Sequence, residues 1–294
     1  MKLIKQSFEI LDQQCGLEGI YKQIEISGRT CYKSEDKITE DSAKEFVDRM
    51  IKSGHGAMLE HGTVYLAIPI SEWRCTDDYR DSYISNPYSN VNDSLVDWEN
   101  NEGIVYITTN LRVLVENGWL DDLQYICEPT EYHEKRITVK FTTDQGILRE
   151  FTRHRVFSFA VESTRYCNYS KNRFSNEVTF IQPNWISDED IKDYHINYNY
   201  FIDQDTNHIT AVNRFISALK NAEYFYMELI KLGWKPQQAR NILPLATKCD
   251  MVMTGFVSDW LHFFALRDAA SAHPQAQELA HSLHEAFIQR GLIK

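Results

Sequence analysis

The chain has 294 residues, 43% of them apolar, with 31 basic against 42 acidic side chains and a formal net charge of -11. That apolar content can bury a sizeable core, while the acidic balance argues against a broad nucleic-acid surface, which needs a dominant excess of Lys and Arg. No run of about 18 apolar residues occurs, and the opening stretch MKLIKQSFEILDQQCG lacks the apolar segment of a signal peptide, so a cytoplasmic protein without membrane spans is expected.

Thr39 to Ser53 is expected as a helix, with Ala43, Phe46, Val47, Met50 and Ile51 at helical spacing and Gly54 as its stop. Thr63 to Ile70 then alternates, with Val64, Leu66, Ile68 and Ile70 on one side, the pattern of a half-buried strand. Residues 71 to 103 are polar and turn-rich and read as a long surface loop or insertion. Strands are expected at Ile104 to Thr108 and at Arg136 to Thr142, the second closed by a turn at Asp144-Gln145-Gly146. A short helix from Ile147 to Arg155 follows. A long amphipathic helix spans Thr206 to Leu232, and Pro236 opens another through Arg240 to Leu243. Met251 to Val257 is expected as a strand, Ser258 to Ala270 as a helix capped by Ser258 or Asp259, and His273 to Gln289 as the last helix. Strands interspersed with longer helices, without βαβ alternation, favour an α+β fold.

Six cysteines, Cys15, Cys31, Cys75, Cys127, Cys167 and Cys249, include no C-x-x-C pair. They read as reduced, mostly buried thiols, with neither a zinc ribbon nor a thioredoxin-type site.

An acidic chain must hold any anion with a local cluster, and one exists. From Arg153 to Arg173 it carries Arg153, Arg155, Arg165, Lys171 and Arg173 against one acid, Glu162. Guanidinium forks grip phosphate oxygens in pairs, and Ser158 and Ser163 add uncharged donors, so a phosphorylated ligand is the natural inference. A solvated face paired with neighbouring acids accounts for the same residues.

RHRVFSFAVESTRY resembles the signature R-H-R-x-x-S-x-N-x-x-S-x-R of the flavin-dependent thymidylate synthase (ThyX) family, matching at Arg153, His154, Arg155, Ser158, Ser163 and Arg165. Further likenesses are Arg29 to Tyr32, SGHGAMLEH at Ser53 to His61, QQARNILPL at Gln237 to Leu245, and WLHFFALRDAASAHPQAQE at Trp260 to Glu278. The chain departs from the family pattern at Ala160, where Asn is usual, and at Cys31, Gly56, Ala57 and Val161. It departs again at Phe256 and Ser258, which replace an N-x-R pair that reaches the flavin.

The resemblance implies a single ThyX-type catalytic domain over residues 1–294, α+β with a mixed or antiparallel sheet packed on long helices, and an atypical insertion at about residues 71–135. It implies methylation of dUMP at C5 with carbon from methylenetetrahydrofolate, FAD as redox carrier and NADPH as reductant, in a homotetramer whose active sites draw on several subunits. No protein nucleophile is needed, in keeping with cysteines that sit in no nucleophile motif. Arg267 matches the arginine that favours ionisation at the uracil N3. Glu150, Arg153, Ser163, Thr164, Arg165 and Arg240 match dUMP contacts. Arg153, His154, Arg155 and His262 match flavin contacts, and His55 and His61 match histidines near the flavin and folate. A ThyX-type enzyme acting on another pyrimidine nucleotide, and a non-catalytic nucleotide-binding homologue, are the alternatives.

Overall fold

The computed structural model describes residues 1–73, 82–192 and 210–294. The frame of the fold is set by β6 (Arg136–Asp144), which pairs antiparallel along its whole length with β9 (Lys248–Phe256), from Arg136 opposite Phe256 to Asp144 opposite Lys248. On the free edge of β6 lies β2 (Ser7–Leu11), and on that of β9 lies β7 (Ser158–Val161), giving an antiparallel sheet in the order β2-β6-β9-β7. A second sheet, β3-β5-β4, joins β3 (Thr63–Pro69), β4 (Asn90–Asn92) and β5 (Ile104–Asn110). A short parallel pair links β1 (Lys2–Ile4) to β8 (Thr179–Ile181).

Alternation along β6 and β9 sends Val139, Phe141, Met251 and Met253 to one face. There they meet Phe151 of α5 (Gln145–Phe151), Trp260, Phe263 and Phe264 of α9 (Val257–Arg267), and Leu283 and Phe287 of α10 (Pro274–Gln289). The rings interlock edge to face, Phe151 on Phe263 at 4.9 Å and Phe157 on Trp260 at 4.7 Å between centroids, the geometry that aromatic quadrupoles favour. The opposite face carries Ala160 and Val252 into a second core with α1 (Gly16–Tyr32), α2 (Ser42–Lys52), α3 (Gly56–Leu59) and the inner side of β3 and β5. A third cluster, with Tyr169, Phe180 and Tyr226, seats α7 (Ala211–Lys231), which the short α6 (Asp188–Lys192) precedes in the chain.

The α+β class is as expected, and several boundaries differ for local reasons. Asp144 does not open a turn. It ends β6 and caps α5, one carboxylate oxygen accepting from the Ile147 N–H at 2.8 Å and the other from Gln275 at 3.2 Å. That helix stops at Phe151, where Thr152 bonds back to the Leu148 carbonyl at 3.0 Å, so Arg153 to Arg155 lie beyond it in a turn. Residues 71 to 103 are not one surface loop. Within them β4 pairs with β5, and Trp73 and Tyr83 are buried. Neither Ser258 nor Asp259 is the N-cap of α9. That place is taken by Phe256, whose N–H donates to the Asp259 carboxylate at 3.0 Å.

Among the described cysteines, all free, Cys167 and Cys249 are buried, Cys31 and Cys127 half-buried and Cys15 exposed, so burial is less general than expected. The expected helix at Thr206 begins at Ala211 in the described part, capped by Thr210. Residues 206–209 and Cys75 lie outside the described residues, as does part of the expected insertion. Among the described residues no helix is long and apolar enough to cross a membrane.

The aromatic core yields a stability test. Phe263→Ala removes the ring that touches Phe151 and Trp260, and it should lower the unfolding free energy by about 3–5 kcal/mol in urea denaturation. A loss below about 1 kcal/mol would refute this packing.

Candidate active site

Arg267 occupies the last turn of α9 and is held on three sides. Its Nη1 and Nη2 donate to the Glu150 carboxylate at 2.7 Å and to the Glu150 carbonyl at 2.8 Å, and its Nε donates to His154 Nε2 at 3.0 Å. Accepting that bond requires a lone pair on Nε2, which assigns His154 as neutral with its proton on Nδ1. Burial, followed by the charges of Arg267 and His262, pushes the His154 pKa down to about 4. His262, one turn earlier on α9, is exposed, with its ring 6.2 Å from that of His154. Of the five guanidinium N–H donors of Arg267, these bonds use three and leave two for a ligand.

The rest of the basic run is divided by the path of the chain. Arg153 and Arg155 are exposed in the turn after α5, and Ser158 points inward from β7. Ser163 is half-buried in a loop, its N–H donating to the Cys31 carbonyl at 3.0 Å. Arg240, just past α8 (Pro236–Ala239), donates to Thr164 Oγ1 at 2.9 Å, and both line a cavity of about 310 Å³ with Arg149 and Leu245. Arg165 lies over the exposed Tyr166 ring at 5.5 Å.

The one acid of this run, Glu162, does not neutralise those arginines. It is buried and committed to Lys248 at 2.8 Å, with Lys33 at 3.9 Å and the Asp250 N–H at 3.1 Å. Asp250 completes the group; against the opposing effect of burial, Lys248 and Lys33 hold its carboxyl down at about 2. The Lys–carboxylate network therefore leaves the exposed guanidinium groups available to an external anion.

His61 lies on the other face of the sheet. His61 is fully buried, its Nδ1 bonded to Thr254 Oγ1 at 2.8 Å, which in turn meets Thr138 Oγ1 at 2.9 Å. Burial and the charge of Arg136 push its pKa down to about 3, with the Phe159 backbone acting in the opposite sense. His55, six residues earlier, is half-buried, with Nδ1 shielded and unpartnered.

Sequence reasoning passed over three residues here. Glu60 is buried and its carboxylate accepts from Arg112 of α4 (Leu111–Asn117). Arg136 is 6% exposed and donates to the Glu60 carbonyl at 3.1 Å. A charged first residue on an otherwise alternating strand, RITVKFT, was the available signal for Arg136. Glu134 binds Ser258 at both its backbone N–H and its hydroxyl. Buried atoms without hydrogen-bond partners include His55 Nδ1, His61 Nε2 and Arg136 Nε. Such atoms suit the carbonyl oxygens and ring nitrogens of a flavin, so the residues present fit that cofactor.

A family model described as thymidylate synthase complementing protein matches residues 129–290. The chain is similar to a probable flavin-dependent thymidylate synthase of Paramecium bursaria Chlorella virus 1, 25% identical over 52% of this chain and 66% of that protein. It is 27% identical to a flavin-dependent thymidylate synthase of Synechocystis sp. over 52% and 66% of the two chains. With that of Halobacterium salinarum it shares 29% over 49% and 59%. The matched stretch thus spans less than two thirds of these curated relatives. A crystal structure of a UMP/dUMP methylase from Streptomyces cacaoi aligns over 98% of this chain and 92% of its own, with TM-score 0.44 and 15% identity. The family model leaves out the likenesses at Arg29 to Tyr32 and Ser53 to His61.

His154 gives the site a pH signature. It titrates near 4 in the folded chain against 6.5 as the ordinary value, so between those pH values the unfolded chain binds a proton that the native chain refuses. Its contribution is fully present above pH 6.5 and is lost as pH falls toward 4. His154→Gln should flatten the slope of unfolding free energy against pH in that window by up to about 1.4 kcal/mol per pH unit. An unchanged slope would refute the neutral assignment.

Proposed function

The chain belongs to the thymidylate synthase complementing protein family, and on that premise we propose that it is a flavin-dependent thymidylate synthase, converting dUMP to dTMP with methylenetetrahydrofolate as carbon donor and NADPH as reductant. The observation that carries this reading is the convergence of Arg267, Glu150 and His154. Arg267 lies more than a hundred residues along the chain from the other two, and together they form one fixed cation with two free donors in an acidic protein that also leaves its exposed arginines unneutralised.

In this reading Arg267 faces the pyrimidine, where a positioned guanidinium favours loss of the N3 proton and raises electron density at C5. Glu150 and His154 hold the fork, and a neutral His154 adds no competing positive charge. Arg153, Ser163, Thr164, Arg165 and Arg240 take the nucleotide and its phosphate through bidentate and hydroxyl donors. Arg153, His154, Arg155 and His262 on one face of the sheet, and His55 and His61 on the other, serve the FAD and folate side, which a homotetramer assembles from different subunits. FAD, when bound, carries reducing equivalents from NADPH to the one-carbon unit. Residues 1–294 act as one catalytic unit, with the segment at about 71–135 added to it.

Arg240 and Thr164 line a cavity that does not include Arg267. That separation supports active sites completed by other subunits of a homotetramer, as do the exposed Tyr224, Phe225, Leu232 and Trp234 in and just beyond α7.

Tritium release from C5-labelled dUMP, assayed with methylenetetrahydrofolate and NADPH beside dCMP and UMP, tests the activity. Release from dUMP alone is expected, and release only from dCMP or UMP would reassign the substrate. Arg267→Ala should lower the rate by roughly 100-fold or more. Full activity in that variant would remove Arg267 from the chemistry, and a chain that takes up no FAD would refute the enzyme reading.

A further inference from the structure

Three positions at which the chain departs from the ThyX pattern each meet a residue contributed between β3 and the start of β6. At Gly56 a Cβ would come within 3.1 Å of Arg112 Nε and 3.2 Å of Glu116 Oε1. Phe256 has the Arg136 guanidinium over its ring at 5.6 Å, and Ser258 is held by Glu134. Glu60 links two of these contacts, its carboxylate taking Arg112 and its carbonyl Arg136, and Arg136 is the residue among them that brings a buried, incompletely bonded cation.

Arg136 is 6% exposed, yet among the described residues no carboxylate pairs with it. The Glu60 carboxylate is taken by Arg112 and that of Asp259 by the Phe256 N–H. What Arg136 holds is the Glu60 carbonyl at 3.1 Å and a long contact to Ser158 Oγ at 3.5 Å, with Nε bonded to nothing. Burial pulls its pKa down to about 10, so the proton stays on at neutral pH. The Glu60 and Asp259 carboxylates act on it only from beyond ion-pair distance, and a buried guanidinium so incompletely paired is unfavourable. A fold that retains one leaves it in want of an oxygen acceptor from outside the chain.

We propose that Arg136 binds an anionic or carbonyl oxygen of FAD, supplying from β6 the cation that the family pattern places at the position of Ser258. The register makes the exchange geometrically direct. Arg136 stands opposite Phe256, two residues before Ser258, and on the same face of the sheet as Thr138 and Thr254, which are bonded to each other and, through Thr254, to His61. This rests on the flavin reading of the preceding subsection.

The test titrates FAD into the wild-type chain and Arg136→Met, following quenching of flavin fluorescence, with thermal melts of the FAD-free proteins in parallel. A cation kept for a ligand predicts that Arg136→Met loses at least about 10-fold in FAD affinity. The FAD-free variant should melt as high as the wild type or nearly so, because an unpaired buried charge has been removed. Adding Ser258→Arg to Arg136→Met should restore most of the affinity, which a merely structural role for Arg136 would not allow. Wild-type affinity in Arg136→Met overturns the proposal, as does a variant that melts far lower and gains nothing from Ser258→Arg. A wild-type chain that takes up no FAD would overturn the flavin reading and this inference together, whereas the other two adverse results leave the flavin reading standing.

Discussion

The pairing of β6 with β9 is the constraint on which the rest depends. Nine consecutive residue pairs fix which side chains face α9 and α10 and which face α1 to α3. A slip of one residue would turn Val139 and Phe141 out of the aromatic core and bury Thr138 and Lys140 there instead. The same register carries the site. α5 starts where β6 ends and α9 starts where β9 ends, so the two helices that deliver Glu150 and Arg267 are launched from opposite ends of one strand pair.

Charge is handled by separation. Lys33, Lys248, Glu162 and Asp250 satisfy one another beside β9, which ties the Glu162 loop to the sheet at a desolvation cost offset by mutual attraction and by the bond from Thr142 to Asp250 at 2.7 Å. Because Glu162 is spent inward, Arg153, Arg155 and Arg165 keep their charge for solvent or ligand. Arg267 is treated differently, oriented by one carboxylate and one neutral imidazole. The side that holds His61 follows a third pattern, in which His61 Nε2 and Arg136 Nε are buried without hydrogen-bond partners. Side chains left incompletely bonded are where a ligand has most to gain.

The stretch from the end of β3 to the start of β6 reaches the positions where the chain departs from the family pattern. Arg112 reaches Glu60 through the space that Gly56 leaves, and Glu134 and Arg136 stand against Ser258 and Phe256. In sequence its first part, residues 71 to 103, is merely polar and rich in turns. Its strand β4, NVN, is too short to show a period, and backbone pairing with β5 rather than side-chain pattern makes it a strand.

Apolar pattern together with cap and stop residues located α2, β3, β5, β9, α10 and the described part of α7 to within a few residues, because an element that buries one regular face repeats that burial at its period. The family spacing of the arginines and histidines was equally visible, since it is a property of the chain. What tertiary structure decided was where those side chains point. Asp144 became a cap rather than a turn because Ile147 and Gln275 both reach it, Ser158 turned inward because β7 pairs with β9, and Glu162 left the arginines for two lysines. The partnerships of Arg136 were likewise invisible, because a charge becomes buried and unpaired only when distant segments close over it, and no local pattern records which residues those will be.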